Sequence, residues 1–139
     1  MKKILIPIAF FIVYNVNAQQ KSKVPEAAKT SFSKLFSKAE KVKWGKEGND
    51  FEVDFRMNSK KMSAVFDATG NCKETEEAVD INQIPAKSIT YFKEHYKSAT
   101  IKETAKIVKA DQSILYEIGI KGKDILFDAE GNFMKEAKD

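Results

Sequence analysis

The sequence predicts an α+β fold: a tandem repeat of a helix followed by about four antiparallel strands, with the two sheets joined and the helices packed on one face. Three observations favour this fold. The hexapeptide FDATGN at 66–71 recurs as FDAEGN at 127–132. Each copy follows apolar residues that alternate with polar ones, which is typical of a half-buried strand. A dipeptide ending in proline, Val24-Pro25 or Ile84-Pro85, precedes each helical pattern. The repeats are predicted to span 24–78 and 84–137.

The first 18 residues differ from the rest of the chain. Lys2 and Lys3 precede an apolar run over 4–16, and the small-residue pattern that ends at Ala18 is typical of a cleavage site. We predict a signal peptide over 1–18 and a single domain over 19–139. The apolar run is short for a membrane span. We therefore expect a periplasmic or secreted protein of a Gram-negative cell, without stable membrane insertion after cleavage.

Composition excludes some functions. The 139 residues carry a formal net charge of +4, which falls to +2 once Lys2 and Lys3 are removed. Arg56 is the only arginine, whereas nucleic-acid recognition favours the arginine fork. We therefore expect no nucleic-acid partner. Cys72 is the only cysteine, so no internal disulfide can form and packing must hold the fold.

The first half reads as one helix and four strands. Proline 25 is suited to a helix start, and apolar residues then recur at helical spacing: Ala28, Phe32, Leu35, Phe36 and Ala39. A strand pattern with Val42 and Trp44 follows. The clearest strand covers 51–57, and the next enters FDATGN with Met62, Ala64 and Phe66 on its inner side. A fourth short strand starts at Asn71, and residues 73–83 are predicted to be an acidic connector.

The second half repeats this order. The predicted helix has an apolar stripe of Ile89, Phe92, Tyr96 and Ala99. Strand patterns follow at 100–109, 113–121 and 123–127, and a last strand runs through Phe133 and Met134. Short connections between these strands require antiparallel pairing.

These motifs resemble the PepSY-like proteins of Bacteroidetes, which share the β-lactamase-inhibitor-protein-like fold. The resemblance rests on the two proline-preceded helix starts, on YEIGIKG at 116–122 and on both FDAxGN copies. It implies a helix-and-sheet fold and a periplasmic location. It implies no catalytic residue, and transferring an inhibitor activity from it would be an analogy between folds.

Several residues could carry chemistry. Asp67 and Asp128 could be metal ligands, but one Asp and one Asn per copy are too few for a calcium loop, and Asp and Gly at these positions favour a hairpin turn. His95, the only histidine, is interpreted as a partly buried helix residue. Cys72 could be a nucleophile or form an intermolecular disulfide. Because it aligns with Phe133, it is interpreted as a small inward-facing apolar residue. We predict no metal, cofactor or catalytic residue.

The polar side of the predicted sheet is the candidate binding surface. Its proposed residues are Glu52, Asp54, Arg56, Glu117 and Lys121. Trp44 has no aromatic counterpart in the second repeat, so it is either a core residue or an interface anchor. We expect a non-enzymatic binding or inhibitor-like module that presents this face to a protein or peptide. The alternatives are a small-ligand-binding protein or enzyme with a pocket between the repeats, and a purely structural envelope protein.

Overall fold

The computed structural model describes residues 23–138. Its helices are α1 (Glu26–Leu35), α2 (Ala86–His95) and a short 3-10 helix (Ile81–Gln83). Its strands are β1 (Glu40–Glu47), β2 (Asp50–Met57), β3 (Lys60–Phe66), β4 (Cys72–Ala78), β5 (Glu103–Lys109), β6 (Ile114–Ile120), β7 (Lys123–Asp128) and β8 (Phe133–Lys138). The predicted signal peptide lies outside the described residues. Within 23–138, no helix has the length and apolar character that a membrane span requires.

The eight strands form one sheet in the order in which they occur along the chain. Every strand pair with a described register is antiparallel. The described chain is mostly β, because two helices of ten residues accompany eight strands. The prediction of an α+β tandem repeat with two joined sheets is therefore wrong.

Strand β4 shows why the prediction failed. We predicted a connector over 73–83, but the strand runs through Ala78. Its sequence, CKETEEA, lacks an apolar stripe, and Glu76 is only 2% exposed. Backbone pairing continues beyond it, since Ala110 N–H donates to the carbonyl of Lys73 at 2.8 Å. A strand that buries a carboxylate cannot be recognised by hydrophobic alternation.

Two compact units divide the described residues, and each has its own core. The first unit comprises 23–78 and 107–114, and the second comprises 79–106 and 115–138. In the first unit, Ala28 and Phe32 of α1 pack on the apolar side of β2 and β3, which consists of Val53, Phe55, Ala64 and Phe66. The Phe32 ring lies 5.1 Å from that of Phe55 and 5.5 Å from that of Trp44, both edge to face. Leu35, predicted to belong to this stripe, is 59% exposed.

The second unit has a core of similar composition. Phe92 of α2 packs on the apolar side of β6 and β7, where Ile118, Ile120, Ile125 and Phe127 are buried. Pro85 directly precedes α2, as Pro25 precedes α1. Both prolines stand one position before the first helical residue, where their missing N–H leaves no helical hydrogen bond unmade.

Candidate functional site on the carboxylate face of the first unit

Strand β2 directs its side chains alternately to two faces. Val53 and Phe55 face the core of α1, so Glu52 and Asp54 lie on the opposite face. In the strand register, Glu52 stands opposite Val65 of β3, and Val65 stands opposite Glu74 of β4. Directly paired residues share a face, so these carboxylates lie on the same side of the sheet.

Strand β1 adds a further carboxylate. Glu47 pairs with Asp50, which has the same parity on β2 as Glu52 and Asp54. We call the set Glu47, Glu52, Asp54 and Glu74 the carboxylate face. Sequence reasoning identified its two β2 members. It missed Glu74 because that residue was assigned to a connector. It also missed Glu47, although the parity of Asp50 across the β1–β2 turn would have indicated it.

Three carboxyl groups of this face, those of Glu47, Glu52 and Asp54, have raised pKa values. Glu52 is only 5% exposed. Its burial, reinforced by the charges of Asp54, Glu47 and Glu74, raises its pKa to about 8 despite a hydrogen bond with Ser63. Burial and the charges of Glu74 and Asp50 raise the pKa of Glu47 to about 7. Burial is therefore the main cause of the raised pKa values on this face, and repulsion between like charges adds to it at Glu47 and Glu52.

Lysines compensate the carboxylates in part. Lys73 Nζ lies 2.7 Å from Asp50 Oδ2, and Lys109 forms an ion pair with Glu74. These two cations lower the pKa of Glu47, but burial and the neighbouring carboxylates outweigh them. The pKa of Asp54 is likewise raised by burial, against the opposing effects of Lys43 and Lys61.

The remaining predicted surface residues differ in exposure. Arg56 is exposed, and its Nη2 donates to the carbonyl of Ser59 at 2.9 Å. In the second unit, Glu117 is fully buried and Lys121 is exposed. The expectation of an open polar surface is thus wrong for Glu52 and Glu117. Alternation along a strand predicts which face a side chain takes, but not how much solvent reaches it.

Trp44 belongs to the first core. Its ring lies 5.5 Å from the Phe32 ring and 5.9 Å from the Phe66 ring, and the residue is half-buried. These contacts favour the core interpretation over the interface anchor. Cys72 stands opposite Phe66 and packs against the same core, as predicted. Burial raises the pKa of its thiol, so the thiolate is disfavoured.

His95 is exposed, not partly buried as predicted. Its ring stacks on Tyr91 with a centroid distance of 3.9 Å, and its Nδ1 lies 2.9 Å from the Tyr91 carbonyl oxygen. Its predicted counterpart Leu35 is also exposed. Both residues are the last of their helices, and the residues that follow them, Phe36 and Tyr96, pack against the cores instead.

The FDAxGN motif forms a hairpin turn, as predicted. Asp67 Oδ1 accepts hydrogen bonds from the N–H groups of Thr69 and Asn71, and Gly70 has a φ of 91°. In the second copy, Asp128 makes the corresponding bonds and Gly131 has a φ of 85°. The carboxylate oxygens bind the turn's own donors, which lowers the pKa of Asp67. Within residues 23–138, no cluster of three or more potential metal ligands occurs.

Comparisons with known proteins agree with this fold. A family model described as "Putative beta-lactamase-inhibitor-like, PepSY-like" matches residues 49–135. A solved structure described as a putative periplasmic protein from Bacteroides eggerthii is 14% identical, with 84% of this chain and 89% of that chain covered and a TM-score of 0.73. A BLIP-like protein from Bacteroides fragilis is 21% identical, with coverages of 84% and 86% and a TM-score of 0.61. A search of curated proteins gives no match. At these identities, the two structures establish the fold alone.

Proposed function

Since this chain belongs to the PepSY-like, β-lactamase-inhibitor-like family, we propose that it is an exported, non-enzymatic module that binds a protein or peptide through the polar side of its sheet. The predicted signal peptide and a structural relative described as periplasmic support export. The inhibitor-like name of the family, shared by the B. fragilis protein, supports a binding role. The residues that would bind are those of the carboxylate face.

The observation that carries the proposal is the grouping of four carboxylates on one side of the sheet, where Glu52 is only 5% exposed. The pKa values of Glu47 and Glu52, raised to about 7 and about 8, agree with it. Ionisable groups that are destabilised by burial and by like charges are concentrated at functional sites. A lysine or arginine side chain placed beside these carboxylates would favour their ionised form. Binding of a basic partner segment would therefore be coupled to ionisation of these two carboxyl groups, and the partner's cations would pair with the charges that form.

Accessibility is graded along β2. Glu52 is buried, Asp54 is half-buried and Arg56 is exposed. A partner would contact Asp54 and Arg56 directly and would act on Glu52 through the local field. The change of sign between positions 54 and 56 would fix the partner's register, because like charges that face each other across an interface are unfavourable.

Affinity capture from periplasmic extract tests this proposal. The mature protein is immobilised beside two variants, Asp54→Lys on the carboxylate face and Glu94→Lys on the exposed side of α2. Both variants change the net charge by the same amount. We expect specifically retained proteins to be lost with Asp54→Lys, to be kept with Glu94→Lys and to be released by salt, since exposed charges are screened.

Two outcomes would contradict the proposal. In one, the same partners bind to both variants. In the other, Asp54→Lys and Glu94→Lys lose them equally, which would indicate a general effect of charge. Asp54→Asn, which keeps the shape of the side chain, separates loss of the surface from loss of the fold. We expect it to weaken capture while leaving the unfolding transition cooperative.

A further inference from the structure

A cationic pocket lies where the loop between α1 and β1, the start of β1 and the β2–β3 hairpin of the first unit meet. Its volume is about 390 Å³. The residues that matter for its chemistry are Lys38, Glu40, Lys41, Arg56, Asn58 and Ser59. Every one of them belongs to the first unit.

The charges that line this pocket are unbalanced. Three cationic side chains, Lys38, Lys41 and Arg56, face one carboxylate, that of Glu40. Five other lysines form ion pairs with carboxylates. Within the described part of the chain, none of the three pocket cations does so. The pocket thus retains a positive charge that the protein itself does not neutralise.

Arg56 gives the pocket a directional donor. It is the one arginine among 24 basic residues. Its Nη2 donates to the carbonyl of Ser59 at 2.9 Å, which holds the guanidinium at the hairpin. The remaining N–H groups of its planar fork suit the paired oxygens of a carboxylate or phosphate, a geometry that lysine cannot reproduce.

The backbone around the pocket is strained. Lys41, Asn58 and Ser59 have φ angles of 53°, 52° and 65°. They are three of the four non-glycine residues with positive φ in the described chain, the fourth being Gln112. Positive φ at Asn58 and Ser59 is the type I′ geometry of a two-residue hairpin, which Asn adopts readily. The unfavourable conformations are those of Ser59 and Lys41, and such conformations are concentrated at functional sites.

The hairpin could be built without this strain. At the equivalent turn between β6 and β7, the residue with positive φ is Gly122, with a φ of 77°. On β1, the strand register shifts between Glu40 and Lys43, so Lys41 lies in a bulge. Bulges commonly redirect a side chain next to a functional site.

We propose that this pocket binds a small oxyanion, a carboxylate or phosphate group, with Arg56 supplying the fork and Lys38 and Lys41 supplying charge. The site goes beyond the partner surface proposed above, because it requires no protein partner and shares only Arg56 with that surface. Glu40 reduces the net positive charge of the lining. A singly or doubly charged anion therefore fits better than a polyanion.

Titration followed by ¹H–¹⁵N spectra of the mature protein tests the site. Sodium phosphate and sodium acetate are added separately, with ionic strength held constant by sodium chloride. We expect saturable shifts of the amides at 38–41 and 56–59. The anion with the lower Kd shows whether phosphate or carboxylate is the preferred group.

Variants assign the binding to the pocket. We expect Arg56→Met to raise the Kd at least tenfold and Lys41→Met to raise it severalfold. Lys93→Met, which removes a charge from the exposed side of α2, should leave it unchanged. Lys41→Met should keep any protein captured by the carboxylate face, so the two proposals can fail separately. The assignment would be overturned if neither anion gave saturable shifts, or if Lys93→Met raised the Kd as much as Arg56→Met does.

Discussion

Replacing Glu52 by glutamine should make the protein more stable at alkaline pH. The carboxyl group is 5% exposed, and its pKa is raised from 4.5 to about 8. The folded state therefore keeps a proton that the unfolded chain releases above pH 4.5. The stability that this proton contributes is fully present below pH 4.5 and is lost as the pH rises through 8. Glutamine keeps the side chain's size but cannot ionise.

The magnitude follows from the size of the shift. A difference between 4.5 and about 8 corresponds to about 5 kcal/mol if Glu52 titrates alone. Glu47 titrates in the same interval, with a pKa of about 7, and its charge accounts for part of the rise in the pKa of Glu52. We therefore expect Glu52→Gln to raise the free energy of unfolding at pH 8.5 by about 2–3 kcal/mol. Below pH 4.5 the effect should be small.

Urea unfolding between pH 5 and pH 9, followed by Trp44 fluorescence, measures this effect. Trp44 is the only tryptophan and packs in the first core, so it reports on the unit that contains Glu52. Glu94→Gln, on the exposed side of α2, is the matched control and should reproduce the pH profile of the natural protein. If Glu52→Gln shows the same decrease in stability with pH as the natural protein, the electrostatic account of the carboxylate face is wrong.

Three further predictions concern the fold. In urea titrations, Gly70→Ala should destabilise the protein by about 3 kcal/mol or more, and Gly122→Ala by about 1–2 kcal/mol. Both glycines have positive φ, but a Cβ at Gly70 would lie 2.7 Å from the Ala27 carbonyl oxygen, whereas the space at Gly122 is open. Phe32→Ala should lower the free energy of unfolding by about 3–5 kcal/mol and Leu35→Ala by less than about 0.5 kcal/mol, because Phe32 is 5% and Leu35 59% exposed. Similar losses of stability in the two variants would contradict the described core. The thiol of Cys72, half-buried with a raised pKa, should react with a disulfide reagent roughly tenfold more slowly than in urea, and equal rates would contradict its burial.

Local structure could be predicted from the sequence where an apolar pattern carried it. The strand predicted at 51–57 is β2 (Asp50–Met57), and both predicted helices begin one residue after their prolines. The FDAxGN turns were predicted because Asp and Gly are required by backbone geometry. In these segments, the residues that form the core are also those that set the pattern.

The sheet as a whole could not be predicted in this way. Strand β4 carries four glutamate or lysine side chains among its seven residues, and it is held by backbone hydrogen bonds that any sequence can make. A single sheet instead of two joined sheets depends on this strand. Strands are identified by the alternation of apolar and polar residues. Where charged residues occupy the inward-facing positions, this alternation does not indicate which strands are neighbours.

The candidate sites were predictable to different degrees. Parity along β2 correctly grouped Glu52 with Asp54, but the exposure of Glu52 depends on neighbouring strands and could not be read from parity. The cationic pocket was not predicted, because it depends on the bulge at Lys41 and on the positive φ of Ser59. The only sequence signal for it was the use of Asn58-Ser59 where the second hairpin has Lys121-Gly122.

Strand β2 connects the carboxylate face and the cationic pocket through its own sequence. Along the polar face of this strand, the side chains change from buried Glu52 to half-buried Asp54 and exposed Arg56. Successive residues on one face of a strand are about 6.6 Å apart, so the change of charge occurs within the reach of a short peptide. Such a gradient distinguishes partners by orientation as well as by charge. A segment with basic residues near Glu52 and an acidic group near Arg56 satisfies both ends, whereas the reversed segment places like charges together at each end.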